Sequence, residues 1–212
     1  VRHWAQGRSI RLGLIGSGEE AKEGLRAISG AVSVTQAHVF SPTAANREAF
    51  AEHMSKETGV SVSARSTQAD VMDACDVVYV ATSSHHEPFL GAADLGGARL
   101  IAAIGSTMPV HRELRGEVFP AMSEVVVDTM DATHESGDCI EASQGGWEPS
   151  SAVLLGDYLR RSPVAPDEGR TLFKSIGSVE QDLVLAYHLL LEAERLGRGI
   201  TMDDVASLRI MR

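Results

Sequence analysis

A strand that runs straight into a glycine turn and then a helix leaves few folds open. Residues 10–16 (Ile-Arg-Leu-Gly-Leu-Ile-Gly) read as a short apolar strand; Gly-Ser-Gly-Glu-Glu-Ala follows, and a helical run continues to about Ser29. The spacing is Gly16-x-Gly18-x-x-Ala21. In that pattern the first glycine permits the tight turn, the second lets backbone approach a pyrophosphate, and the small third residue lets helix and strand pack closely. The pyrophosphate would then accept amide hydrogens at the positive end of the helix dipole. The plain alternative is a strand–helix turn that needs glycine for geometry alone.

The rhythm continues. Val34–Phe40 reads as a second strand closed by Ser41-Pro42-Thr43, and Ala44–Thr58 as an amphipathic helix. Val60–Ala64 is a third strand, and Ser66–Ala74 a short helix capped by Ser66 or Thr67. Asp76–Thr82 is a near-continuous β-branched run, suited to a strand buried on both faces of a parallel sheet. Arg99–Gly105 and Glu124–Asp128 repeat it, and residues 144–151 form a loop by their turn chemistry. Alternation of this kind predicts an α/β fold with a doubly wound, Rossmann-type parallel sheet. After Pro166 the pattern changes: Leu172–Leu196 reads as one long helix, with Gly177 near its start and Gly197 closing it. Its apolar residues occupy more than one face, which calls for a second packing partner. The expected domains are 1–9 as the end of a linking helix, 10–165 as the nucleotide-binding domain, and 166–212 as a C-terminal helical segment.

Composition removes other classes. With 43% hydrophobic residues the chain can build a core, and a formal charge of -10 argues against nucleic acid or an anionic membrane as partner. Cys75 and Cys139 stand far apart and outside any metal-ligand cluster, so neither a disulfide framework nor a metal site is expected. No apolar run approaches transmembrane length and the first residues lack a signal peptide's apolar core. The expectation is a cytoplasmic protein.

Around the glycine turn, Gly16, Ser17 and Gly18 are candidate cofactor contacts together with Glu19 and Glu20. A carboxylate in a first helical turn suits the dipole, but two beside a pyrophosphate would repel it. The end of the second strand distinguishes the nicotinamide cofactors: NAD sites place Asp or Glu there for the ribose 2′-hydroxyl. Here stand Ser41, Pro42 and Thr43, with Asn46 and Arg47 behind. No carboxylate would repel a 2′-phosphate, so the reading leans to NADP, with NAD the alternative; Arg47 reads equally as an exposed helical residue.

From Asp76 onward the chain resembles the ornithine cyclodeaminase/μ-crystallin family. The similarity lies in Asp-Val-Val-Tyr-Val-Ala-Thr-Ser-Ser then Glu-Pro-Phe-Leu, and in residues 103–114, similar to the family's G-x-x-x-P-x-x-R-E-L segment. Val-Val-Asp-Thr, Glu-Ser-Gly-Asp (135–138), Leu-Gly-Asp-Tyr-Leu (155–159), Thr-Leu-Phe-Lys-Ser-Ile-Gly (171–177) and Gln-Asp-Leu follow in the family's order. The resemblance implies a nucleotide-binding domain inserted in a substrate and dimerisation domain built mostly from an N-terminal third, which lies outside this sequence and which in the family holds the substrate carboxylate through Arg and Lys. It also implies a homodimer acting on a small amino-acid or imine substrate.

Cyclodeaminases carry an Asp two residues after the glycine matching Gly105; here that position is Thr107. A threonine hydroxyl cannot act as a general base near neutral pH, whereas hydride transfer rests on the cofactor, which the protein mainly orients. The resemblance therefore implies an NAD(P)H-dependent imine reductase or amino-acid dehydrogenase. Its alternatives are a cyclodeaminase-type lyase recycling NAD, and a non-catalytic nucleotide-binding protein. It also implies cofactor contacts at Ala81, Thr82, Ser83, Ile104, Gly105, Ser106 and Ser175. Three further sets of residues have a functional and a structural reading, the structural one being expected: Lys174 a catalytic amine or a solvated helix-start lysine, His85 and His86 ligand contacts at a strand end or surface-loop residues, and Arg112–Glu113 a substrate clamp or an ion pair.

Overall fold

A computed structural model describes residues 1–83, 87–162 and 169–200. The expected boundary at 165/166 and the readings of His85, His86 and Pro166 lie outside these residues. The chain divides into two compact units, Val1–Gly177 and Ser178–Arg212.

The first unit is built in chain order from α1 (Arg2–Ala5), β1 (Ile10–Ile15), α2 (Glu19–Ala31), β2 (Val34–Phe40), α3 (Ala44–Thr58), β3 (Val62–Ala64), α4 (Gln68–Ala74), β4 (Val77–Val80) and β5 (Leu100–Ala103). Then come β6 (Glu124–Val127), α5 (Ala132–Glu135), α6 (Gly137–Gln144), β7 (Val153–Leu154), α7 (Leu155–Arg160) and β8 (Thr171–Lys174). The sheet order is β3-β2-β1-β4-β5-β8-β6-β7, and its paired strands run parallel.

Burial follows from strand alternation. In β4, Val77 joins one apolar cluster with Leu12, Leu14 and Leu25, while Val78 and Val80 join the other with Ile101, Leu114 and Phe119. Both faces are covered, which is why β4 reads as an unbroken apolar run. Helix α4 starts where a capping box forms: the Thr67 hydroxyl accepts from the Asp70 amide and the Asp70 carboxylate accepts from the Thr67 amide.

One expectation is corrected. Leu172–Leu196 is not one helix: Thr171–Lys174 is strand β8, paired on both sides, with β5 and β6. Four residues are too few to display an alternating pattern, and helical periodicity continues through them. The slot between β5 and β6, which offers backbone partners on both edges, decides the conformation. The two-residue β7 is likewise invisible in the sequence.

The second unit holds α8 (Val179–Arg195), where the Ser178 hydroxyl accepts from the Gln181 amide, and Gly197 follows the C-cap with φ 61. Leu183, Leu185, Leu189 and Leu190 are exposed. Among the described residues no helix is long and apolar enough to cross a membrane.

Candidate functional site

The strand order reverses between β1 and β4, and in open parallel sheets such a switch point opens a crevice beyond the strands' C-terminal ends. A cleft of about 1180 Å³ lies there.

Its first wall is the turn from β1 to α2. The Gly16 amide donates to the Phe40 carbonyl at 2.9 Å, with φ 113, and a Cβ at Gly16 would run into the Ala81 carbonyl oxygen. That position accepts only glycine. Gly18 is the N-cap of α2, no side chain caps the helix, and a Cβ there would meet nothing within 4 Å. Ala21 is fully buried, and the Tyr79 ring lies where a Cβ of Gly24 would stand, so α2 packs close to β4. The first-turn amides of α2 have no intrahelical partner by helix geometry, and with the dipole they make this mouth receptive to anions.

Of the two acids beside it, Glu19 is drawn off the mouth by its basic neighbours. Glu19 lines the cleft, but its carboxylate pairs with Lys22 at 2.9 Å and reaches Arg26 at 4.0 Å, with 69% of the side chain exposed. The Lys22 contact holds its carboxyl below the usual range. Glu20 also lines the cleft; burial pushes the Tyr79 phenol up to about 12, with the charge of Glu20 adding to it.

At the end of β2 the wall is Phe40, Ser41, Pro42 and Asn46, without a carboxylate. Ser17 Oγ donates to Ser41 Oγ at 2.9 Å, tying the two turns together. Arg47 donates to the Ser41 and Pro42 carbonyls at 3.0 and 3.3 Å. Thr43 stands at the N-cap position of α3 without a side-chain capping bond and does not line the cleft; its side chain is exposed.

The third wall gathers Ala81, Thr82 and Ser83 after β4, Ile104, Gly105 and Thr107 after β5, and Ser175 after β8. Ser106 does not join them. It is fully buried, donating to the His111 carbonyl, sharing a hydrogen bond with Ser136 Oγ at 3.1 Å and accepting from the Asp138 amide. Its neighbours in the chain face the cleft, whereas the expected contact Ser106 points into the protein and does not line it.

Behind this wall lies a cluster that sequence reading missed. Glu113 is fully buried; its Oε1 accepts from the Thr82 amide and hydroxyl, both at 2.8 Å, and its Oε2 from the Gly105 amide at 2.7 Å. One carboxylate thus clamps the turns after β4 and β5. Asp138, also fully buried, accepts through Oδ1 from the amides of Glu113 and Leu114 at 2.7 and 3.1 Å. Its Oδ2 lies 3.3 Å from Lys174 Nζ, which also donates to the Ala103 carbonyl. Burial pushes both carboxyls upward, and Lys174 is the foremost influence pulling each back.

Two readings are corrected accordingly. Lys174 is no solvated helix-start residue: it ends β8 with no exposed surface. Arg112 pairs with Glu141 at 3.3 Å, not with Glu113, whose side chain turns inward. Nearby, Asp128 Oδ2 accepts from Ser175 Oγ and the Gly177 amide at 2.6 and 2.7 Å, holding the Ser175 turn against the cleft. Gln68, Tyr79 and Phe89 line the cleft as well. They sit singly in ordinary helix, strand and loop contexts, and no local signal marked them. Among the described residues no group of His, Cys, Asp and Glu is placed to hold a metal ion.

The model of the ornithine cyclodeaminase/mu-crystallin family matches residues 1–193. A Delta(1)-pyrroline-2-carboxylate reductase of Bacillus cereus is 25% identical over 207 residues, covering 94% of this chain and 62% of that protein. A Delta(1)-pyrroline-2-carboxylate/Delta(1)-piperideine-2-carboxylate reductase of Azospirillum brasilense is 32% identical over 187 residues, covering 85% of this chain and 55% of that protein. The solved Delta(1)-pyrroline-2-carboxylate reductase of Thermococcus litoralis, in complex with NADH and L-proline, superposes with a TM-score of 0.85 at 26% identity, covering 95% of this chain and 63% of that one. The chain therefore spans somewhat less than two thirds of the length of these relatives.

Proposed function

This chain belongs to the ornithine cyclodeaminase/mu-crystallin family, and we propose that it forms the dinucleotide-binding part of an NAD(P)H-dependent reductase of amino-acid imines. The observation that carries the reading is the uncapped, glycine-built mouth of α2 at the β1/β4 reversal, open to a cleft long enough to run from Ser41 to Ser175. The residues fit such a nucleotide: Gly16 and Gly18 keep the turn bare of side chains, and Glu19 is drawn away by Lys22.

When bound, a reduced nicotinamide would supply a hydride to the imine carbon and be left oxidised, while the imine nitrogen would take a proton from solvent water. The chain's own residues orient and exclude. Amides of the α2 turn hold the diphosphate, the Ser41–Asn46 wall receives the adenosine ribose, and the turns bearing Thr82, Ser83, Gly105 and Ser175 shape the nicotinamide end. Thr107 at the mouth offers a hydroxyl and no base, which favours reduction over cyclodeamination. With no carboxylate at the end of β2 and Arg47 beside it, NADP is preferred over NAD. The same reading makes the protein a cytoplasmic homodimer, in keeping with its two unpaired, buried cysteines and the exposed apolar residues of α8.

The test is a fluorescence titration with NADPH and NADH, followed by the oxidation of each with Delta(1)-pyrroline-2-carboxylate as substrate. Saturable binding, tighter for NADPH, is expected. No saturation by either up to millimolar concentration defeats the proposal; binding without turnover in a protein that also carries the family's substrate-binding part defeats the reductase and leaves a nucleotide-binding protein.

A further inference from the structure

We propose that the buried Glu113–Asp138–Lys174 cluster carries a net negative charge behind the Thr82–Gly105 wall, and that this charge biases the cleft toward the oxidised, cationic nicotinamide over the reduced, neutral one. The inference rests on the reading that the nicotinamide end of a dinucleotide occupies that wall.

The charge follows from the partners. Glu113, Asp138 and Lys174 have no exposed surface. Glu113 meets an obligate donor on each oxygen, the Thr82 amide on Oε1 and the Gly105 amide on Oε2, with the Thr82 hydroxyl also on Oε1. Asp138 meets the Glu113 and Leu114 amides on Oδ1 and the Lys174 ammonium at Oδ2. An ionised carboxylate only accepts, whereas a protonated one must also donate; the amides on Glu113 and on Asp138 Oδ1 cannot accept, and Asp138 Oδ2, which makes no hydrogen bond, faces only the Lys174 ammonium at 3.3 Å, so the geometry and Lys174 favour the ionised pair against the upward push of burial. Two carboxylates and one ammonium leave one negative charge in excess.

The surrounding charges do not cancel it. The Arg112 guanidinium is engaged with Glu141 at 3.3 Å, and Asp128, beneath the Ser175 turn, adds the same negative sign. Thr82 and Gly105 line the cleft and bond directly to Glu113, so the charge stands one residue layer from whatever touches them. In a dry interior such a charge is weakly screened. Its attraction acts on a cationic ring and leaves a neutral ring almost untouched. Preferential binding of the oxidised ring makes the bound reduced form a readier hydride donor than the free one. A clamp that merely held the two turns in place would affect both redox forms alike, and this difference separates charge from scaffolding.

The experiment is calorimetric titration of the chain with the oxidised and reduced forms of the preferred dinucleotide, reading the ratio of the two dissociation constants. In the unmodified protein the oxidised form is expected to bind at least as tightly as the reduced. Glu113→Gln is expected to weaken the oxidised form about tenfold more than the reduced one, as expected for losing a nearby charge in a low-dielectric site. Glu113→Asp keeps the charge, and is expected to weaken both while leaving their ratio within about twofold of its original value. An unchanged ratio in Glu113→Gln overturns the inference while leaving the cofactor reading intact. If that variant does not fold, the unmodified ratio decides: tighter binding of the reduced form overturns the inference. Failure of the unmodified chain to bind either form overturns this inference and the cofactor reading together.

Discussion

Gly16 and Gly18 stand two residues apart in one turn, yet the structure assigns them separable roles. Gly16 has φ 113, and a Cβ there would overlap the Ala81 carbonyl oxygen, a backbone atom at the end of β4 that cannot rotate away. Gly16→Ala therefore adds a disfavoured backbone conformation, worth about 1–3 kcal/mol, to a collision that must push β1 and β4 apart. A total near 3 kcal/mol corresponds to a fall in melting temperature of about 6–12 °C for a unit of this size. At Gly18 φ is -81 and a Cβ meets nothing within 4 Å. Gly18→Ala should thus cost only the modest N-cap preference of glycine over alanine, about 1 kcal/mol or less. Its methyl group, however, stands at the mouth where phosphate oxygens must reach the α2 amides, and nucleotide affinity should fall by about tenfold or more, the worth of one or two lost hydrogen bonds to a charged group. Differential scanning fluorimetry reads the first effect and NADPH titration the second. A Gly18→Ala protein that binds nucleotide like the parent refutes the phosphate mouth; a Gly16→Ala protein that melts with the parent refutes the close approach of β1 to β4.

Three further perturbations test the interior and the sheet. Lys174→Met leaves Asp138 buried without its ammonium, and is expected to cost about 3–5 kcal/mol in urea unfolding; a change under about 1 kcal/mol would mean the pair is not formed. Asp76, hydrogen-bonded to the Arg11 side chain and amide, has its carboxyl held below the usual range chiefly by that guanidinium. A depressed carboxyl contributes stability above its unfolded value and loses it as pH falls through the folded one. The parent should thus exceed Asp76→Asn by about 1 kcal/mol or less near pH 6, given the partial exposure of the pair, with the difference starting to shrink below about pH 4 and fading as the folded value is passed; a difference that does not shrink on acidification would contradict the assignment. Burial pushes the thiols of Cys75 and Cys139 up to about 12, so neither should react with a disulfide reagent at neutral pH until the chain is unfolded. Rapid modification of either in the native protein would show that its packing is wrong.

The glycine turn, the strands β1, β2 and β4, the helix Ala44–Thr58 and a cap at Ser66 or Thr67 are legible from residues next to one another, because each rests on local rules of sterics, alternation or capping; the structure selects Thr67. The wall Gly16–Glu20 follows from the end of the first strand, whereas Ala81–Ser83 are expected from the family resemblance. Beyond that reach local reading misleads. Thr171–Lys174 carries helical periodicity and becomes a strand, since β5 and β6 present unpaired backbone on both sides of it. That one change takes Lys174 from a presumed solvated helix start to the buried partner of Asp138, 36 positions away in the chain. Glu113 looks like half of a surface ion pair with its neighbour until the sheet brings Thr82 and Gly105 to its two oxygens. Short-range chemistry sets which elements form, but a buried charge acquires its partners from strands that meet only when the sheet closes, so its role belongs to the assembled fold.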